Sequence, residues 1–164
     1  MTADALARAR DVELAFELAA PSMAGVPVCN RTLSIEVVGM RPHAGGYAGV
    51  LVTPWTVSLV LVGAHGAPLA RLAPGEAEVV EFPAGPFALA AAEGPELGPY
   101  RTLSLLSPPE GLVGQDDARA AARAALSAIF DPPAPPAEEP APPPEADLPR
   151  GTLSSRRAFL RGGA

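Results

Sequence analysis

Near one end of the 164-residue chain, Ser155-Arg156-Arg157-Ala158-Phe159-Leu160-Arg161 sets two guanidinium groups beside an apolar pair. This is the pattern by which twin-arginine export signals are read. A working signal needs a basic start, an apolar run of roughly 7 to 15 residues and a small-residue cleavage site, all at the N-terminus. Here the motif stands at the other end, followed by Gly162, Gly163 and Ala164. It is therefore read as a decoy or an address, and its carrier as a cytoplasmic protein expected to deal with such signals. The bland alternative is a chance basic helix end, against which the length of the match argues.

The other residues able to do chemistry do not form a catalytic set. His43 and His65 fall in Gly-rich stretches read as surface turns, and the chain has one cysteine, Cys29. Two unassociated histidines and one thiol cannot make a structural zinc site, and a buried or incidental Cys29 is preferred over a reactive thiol. Glu76 and Glu78 fit the solvent face of a strand, and Asp116 and Asp117 a helix start, better than a general acid/base pair. There is no G-x-S-x-G elbow, no phosphate-cradling loop and no G-x-G-x-x-G. No catalytic residue, metal ligand or cofactor is expected, and the chain is read as no enzyme.

Binding remains. Trp55, in Thr53-Pro54-Trp55-Thr56, is the only tryptophan. Such a residue is either core or an anchor that keeps one edge for a partner. Arg41 before Pro42 and Tyr100 after Gly98-Pro99 are large polar-tipped groups at strand ends, and either could equally support the fold as a hydrogen-bond donor. An apolar patch rimmed by Glu36, Glu78 and Glu81 would suit a peptide with twin arginines followed by Phe-Leu.

The elements that must position these residues follow from periodicity. Residues 4 to 20 place Ala5, Ala9, Val12, Phe16 and Ala19 on one helical stripe, with Pro21 as the stop. Residues 33 to 40 alternate as a strand, 41 to 46 read as a turn, and strands are expected at 47 to 53, 56 to 62, 77 to 82, 87 to 92 and 100 to 106. Pro54 breaks the ladder between two of them. The connections are too short for parallel crossovers, so the sheet is an antiparallel meander. Residues 115 to 130 close the domain as a helix facing the core with Ala118, Ala122, Ala125 and Ile129. The expected fold is α+β, a single antiparallel sheet covered by N- and C-terminal helices.

Charge divides the chain further. Residues 1 to 130 hold 8 Arg against 13 acids; residues 131 to 149 hold 5 acids, no base and nine prolines; residues 150 to 164 hold 4 Arg and no acid. The expected organisation is a folded domain over 1 to 131, a Pro-rich acidic linker over 132 to 149 and an Arg-rich tail over 150 to 164. An acidic body suits a basic peptide and not nucleic acid. The apolar stretch 49 to 63 is too short and too interrupted to span a bilayer. A lone cysteine and the lack of an N-terminal signal point to a reducing cytoplasm.

Several segments then resemble a known family. Val38-Gly39-Met40-Arg41-Pro42, Gly49-Val50-Leu51-Val52-Thr53-Pro54-Trp55 with Leu59-Val60-Leu61, Phe82-Pro83-Ala84-Gly85, Leu97-Gly98-Pro99-Tyr100 and Ser104-Leu105-Leu106-Ser107-Pro108 occur in the order found in [NiFe]-hydrogenase assembly chaperones of the HybE/HupJ type. The resemblance covers roughly residues 5 to 131. It implies a cytoplasmic chaperone that holds the hydrogenase small subunit precursor, which carries a twin-arginine signal, until its clusters are in place and the subunits have joined. Ser58 departs from the polar amide expected there, and the absence of a Cys-x-x-Cys pair implies that the rubredoxin-like extension of some relatives, and its iron, are missing. The alternative is a non-catalytic scaffold that docks other maturation factors or the translocase through Arg156 and Arg157.

Overall fold

The structure, a computed structural model, describes residues 2 to 23 and 25 to 133. The linker from residue 134 onward and the tail motif from Ser155 to Arg161 lie outside the described residues. Helix α1 (Ala3–Met23) buries Ala5, Ala9 and Val12 of the expected stripe, together with Arg8 and Ala15, while Phe16 and Ala19 are half-buried. It does not stop at Pro21, contrary to expectation. A proline this close to the C-terminal end removes one hydrogen bond of the last turn, and its clash with the carbonyl four residues earlier has only two further helical residues to disturb. Ser22 Oγ, donating to the Ala19 carbonyl at 2.7 Å, satisfies one of the last acceptors.

Six strands follow: β1 (Glu36–His43), β2 (Gly46–Val52), β3 (Val57–Gly63), β4 (Ala77–Phe82), β5 (Gly85–Gly94) and β6 (Gly98–Leu106), before α2 (Gln115–Phe130). All neighbouring strands are antiparallel in one sheet of order β1-β2-β3-β6-β5-β4. The expected meander is thus two consecutive three-stranded meanders joined where β3 pairs β6, with residues 64 to 76 carrying the chain from the middle of the sheet to its far edge.

Strand β1 corrects the reading of 33 to 40 as strand and 41 to 46 as turn. The strand begins three residues later, and Arg41, Pro42 and His43 belong to it. Pro42 is tolerated because β1 is an edge strand with an unpaired side; the actual turn is Ala44-Gly45, with φ of 48° and 75°. A bulge between Val38 and Arg41 resets the alternation. Val38 joins the cluster beneath α2, whereas Val37 and Met40 join the cluster beneath α1. Gly39 makes this possible: its φ is 66°, and a Cβ there would lie 2.5 Å from Leu126 Cδ1.

The sheet therefore has two working faces. The outer face carries α1 over β1 and β2, packed on Met40, Leu51, Val60 and Val62. The inner face carries α2, whose Ala118, Ala122, Leu126 and Ile129 are buried against Val50, Val57, Leu59 and Leu89. Covered on both sides, β3 is buried along its whole length. The sheet curls round the end of α2 until its two edge strands touch. The His43 ring stacks on Phe82 at 4.2 Å, its Nε2 lies 2.9 Å from the Glu81 carbonyl oxygen, and Phe130 packs edge-on to both rings. His43 is accordingly not a surface turn residue but a half-buried strand residue that joins the two edges. Among the described residues no helix is long and apolar enough to cross a membrane.

Candidate functional site

Trp55 sits in the turn between β2 and β3, and that turn is locked by Thr53. The Thr53 side chain is fully buried; its Oγ1 donates to the Thr56 carbonyl at 2.9 Å and accepts the Thr56 and Trp55 amide N–H groups at 3.0 and 3.3 Å. Asn30 anchors the turn from outside. Its backbone N–H donates to the Pro54 carbonyl at 2.6 Å, and its Nδ2 to the Leu112 carbonyl at 2.8 Å. A short threonine turn of this kind is a local backbone lock, so the orientation of Trp55 is set before any partner arrives.

The indole is half-buried and separates two cavities. One, of about 350 Å³, is lined by Met23, Cys29, Leu33 and Pro54, with Arg31 at its wall. The other, of about 410 Å³, is a groove on the outer face between α1 and β6, with walls of Phe16, Leu51 and Trp55 and a floor of Ser58, Thr102 and Ser104 reaching to Tyr100. Phe16 and Tyr100 pack edge to face at 5.9 Å. Burial pushes the Tyr100 phenol above its ordinary 10.0, so it stays a neutral hydrogen-bond donor. Beside Ser58, the Thr56 hydroxyl donates to the Leu106 carbonyl at 3.2 Å, which leaves it as acceptor for the Ser58 and Ser104 hydroxyls at 3.0 and 3.3 Å. Ser58, where an amide was expected, thus belongs to the groove floor.

Beyond the groove the outer face of β4 and β5 has no helix on it. Ala90 and Ser104 of the groove and Ala88 next to them are exposed, and Val79 is 64% exposed. Alanines are poor residues for a solvent-facing strand, but they let another backbone approach closely. The arrangement can bind an extended or helical segment with apolar side chains, and its hydroxyls can orient it.

Of the residues singled out from sequence, the structure brings Trp55 and Tyr100 into one groove. Arg41 lies on the inner face, its guanidinium 4.7 Å from the Phe130 ring centroid. Glu36, at the start of β1, accepts bonds from Arg119 Nε at 2.9 Å and Gln115 Nε2 at 2.6 Å. Burial works against its charge, but those two bonds and the Arg119 and Arg123 charges outweigh it and hold the pKa of its carboxyl below the ordinary glutamate value. Glu78 takes up Arg101, which is 1% exposed and donates to Glu78 Oε2 and the Ala70 carbonyl, both at 2.7 Å. Glu81 is exposed on β4, the edge strand next to β5. The three glutamates do not rim one patch: Glu36 begins β1, at the end away from His43, Glu78 and Glu81 point to opposite faces of β4, and two of the three are already paired.

The remaining candidates also find places. Cys29 Sγ donates to the Met23 carbonyl at 3.3 Å, and exposed His65 lies 3.4 Å from Asp11. Asp117 accepts the Val113 N–H at 3.1 Å, and Asp116 pairs with Arg119 at 2.9 Å, as a helix start predicts. Glu76 accepts the Ala73 N–H at 2.8 Å. Among the described residues no group of three or more His, Cys, Asp or Glu side chains is placed to hold a metal ion. Sequence reasoning missed Phe16 as a groove wall, Asn30 and Thr53 as the supports of Trp55, and Arg101. The hydroxyl-Pro-Trp-hydroxyl spacing of 53 to 56 was the available signal.

The pattern that defines the family "[NiFe]-hydrogenase assembly, chaperone, HybE" matches residues 7 to 162. It therefore extends past residue 131, where the resemblance seemed to end, and includes the linker and the Arg-Arg motif. The hydrogenase expression/formation protein HoxT of Azotobacter vinelandii is 37% identical over 157 residues, 93% of this chain and 95% of that protein. HupJ of Bradyrhizobium diazoefficiens is 33% identical over 146 residues, 89% of this chain and 82% of that one. A probable rubredoxin HupJ of Rhodobacter capsulatus is 37% identical over 108 residues, but the match spans only 39% of its length. The solution structure of HybE from Escherichia coli shares the fold, with a TM-score of 0.61 at 20% identity, covering 96% of this chain and 90% of that one. A family pattern matched over nearly the whole sequence, with relatives of this identity, shows that the chain belongs to the HybE family of [NiFe]-hydrogenase assembly chaperones.

Proposed function

We propose that this protein acts in the cytoplasm and holds the precursor of a [NiFe]-hydrogenase small subunit, engaging its twin-arginine signal through the Trp55 groove until cofactor insertion and subunit assembly are complete. The observation that carries the reading is a pre-oriented tryptophan beside an uncovered strip of sheet: Trp55 and Phe16 supply apolar wall, Tyr100 and the Ser/Thr floor supply hydrogen bonds, and no helix covers the adjoining strands. Apolar surface with a few polar groups is what an apolar segment next to basic residues requires. The acidic balance of the body adds a long-range attraction for the signal's arginines.

The test is capture with tagged full-length protein from cells maturing a hydrogenase. Small subunit precursor should be recovered with the wild type and with His65→Ala, and lost with Trp55→Ala. In vitro, a synthetic twin-arginine signal peptide should bind more weakly as salt rises, since exposed charges are screened beyond about 10 Å at 0.1 M. Equal affinity for a Lys-Lys peptide lacking the Phe-Leu pair would refute specific recognition. A second reading is favoured by the family match running through residue 162: the Arg156-Arg157 tail docks other maturation proteins or the translocase, and the protein is a scaffold. Capture of such proteins without any precursor, abolished by Arg156→Gln/Arg157→Gln, would select it.

A further inference from the structure

We propose that the open edge of β4 holds the twin-arginine motif of the precursor's signal in extended form, as a seventh, antiparallel strand with the second arginine opposite Val79 and the phenylalanine opposite Ala77; this rests on the reading of the groove given above. The two edges of the sheet are finished differently. On β1 the positions that face away from β2 are blocked: the Val37 N–H donates to Glu13 Oε1 at 2.8 Å, the Gly39 carbonyl lies 3.5 Å from Arg41 Nε, and Pro42 has no N–H. On β4 the two-residue turn makes Phe82 and Gly85 a hydrogen-bonded pair, so Val80 and Glu78 also bond to β5, while Glu81, Val79 and Ala77 direct their N–H and C=O groups away from it. Glu81 fits this phase: Pro86 opposite it has no N–H, and its carbonyl faces His43 Nε2 at 2.9 Å. The end of β1 thus closes the edge at Glu81. Val79 and Ala77 have no backbone partner on that side among the described residues.

The side chains along this edge select the occupant. Ala77, Val79 and Glu81 share the outer face of β4, and Glu81 is exposed and makes no ion pair among the described residues. In the Arg-Arg-x-Phe-Leu pattern of such signals the second arginine and the phenylalanine stand two positions apart, so in a strand both project from one face. An arginine opposite Val79 is a diagonal neighbour of Glu81, about 7 to 8 Å away and within reach of a long side chain. A phenylalanine opposite Ala77 lies over two small residues, because Ala77 is paired with Ala90, which lines the groove. The apolar run that follows the motif therefore begins beside the groove. In strand addition the main-chain bonds supply affinity and alternate side chains supply specificity, so moving the phenylalanine by one position turns it to the wrong face.

The test is calorimetric titration of full-length protein with a synthetic twin-arginine signal peptide and two forms of it methylated on one backbone nitrogen. Methylation at the phenylalanine, whose N–H faces the Ala77 carbonyl, should weaken binding about tenfold, whereas methylation at the preceding x, whose N–H points away, should leave it unchanged. Val79→Pro gives β4 the block that Pro42 gives β1 and spares the bonds to β5; with a thermal melt like that of the wild type, it should weaken the unmodified peptide about tenfold as well. Equal affinity for the two methylated peptides overturns strand addition, whether or not Val79→Pro folds, and so does unchanged binding by a folded Val79→Pro. If Trp55→Ala still weakens binding in either case, the groove reading stands without the added strand. Sensitivity to methylation at the phenylalanine and to Val79→Pro, with none to Trp55→Ala, supports the strand and refutes the groove. A wild type that binds no unmodified peptide overturns both.

Discussion

The two faces of the sheet use aromatic side chains in opposite ways. On the inner face Phe82, Phe87, Phe130 and the His43 ring pack against one another, and Arg41 completes the cluster over Phe130. On the outer face Trp55, Phe16 and Tyr100 stand round a groove and leave part of their surface without a protein neighbour. Aromatics that satisfy each other close a curled sheet; aromatics left partly bare beside a rigid turn are available to a partner. The difference teaches that residue type alone does not mark a binding group. Arg41 and Trp55 look equivalent as polar-tipped anchors, yet one is consumed by the fold.

The comparison breaks most readily at the inner cluster. Phe82→Ala should cost about 3 to 5 kcal/mol of stability, because it removes the ring that joins β4 to His43 and Phe130. Urea unfolding would show it, and the fraction that remains folded should bind the signal peptide with unchanged affinity. On the outer face the pattern should invert. Trp55→Ala should weaken precursor or signal-peptide binding by roughly 2 kcal/mol, about thirtyfold, as a central aromatic anchor does, while costing less stability than Phe82→Ala. Calorimetry beside a thermal melt separates the two; a fall in stability as large as that of Phe82→Ala would make Trp55 a core residue instead.

Thr53→Val is a finer probe. It keeps the shape but strips the oxygen that accepts the Trp55 and Thr56 amides, so a loss of about 1 to 3 kcal/mol is expected, with binding weakened because the indole is no longer pre-oriented. Binding that survives this change would show that the groove orders on contact. The smallest effect concerns Glu36. Its folded-state pKa lies below the ordinary value, so its contribution to stability is fully present above the unfolded pKa of about 4.3 and fades as pH falls through the folded value. Glu36→Gln should therefore lower stability at neutral pH, and the gap to wild type should narrow below about pH 4. A gap that stays constant with pH would mean that the Arg119 contact acts through packing rather than charge.

Much of this architecture was legible because it depends on local pattern. The stripe of Ala5, Ala9 and Val12, the apolar run through β2 and β3, and the core face of α2 follow from helical and strand periods that burial enforces. Local rules failed where position in the sheet decided. Pro42 reads as a turn residue until β1 is known to be an edge, and Pro21 as a stop until the helix is seen to end just after it. The bulge at Gly39 is a demand made by Leu126, 87 positions along the chain, and no neighbouring residue announces it.

Adjacent residues alone carried the two helices, most of the strand positions, the break at Pro54 beside Trp55, the charge division along the chain and the segments that mark the family. Only the tertiary structure decided which candidates share a surface. The curl that brings His43 against Phe82 puts Arg41 inside, the length of β1 keeps Glu36 away from the contact between the two edges, and α1, packed over β1 to β3 with Phe16 against Tyr100 of β6, leaves the strip over β5 and β4 uncovered. Those outcomes depend on contacts between residues far apart in the chain, whose pairing is set by sheet order and curvature rather than by any local preference.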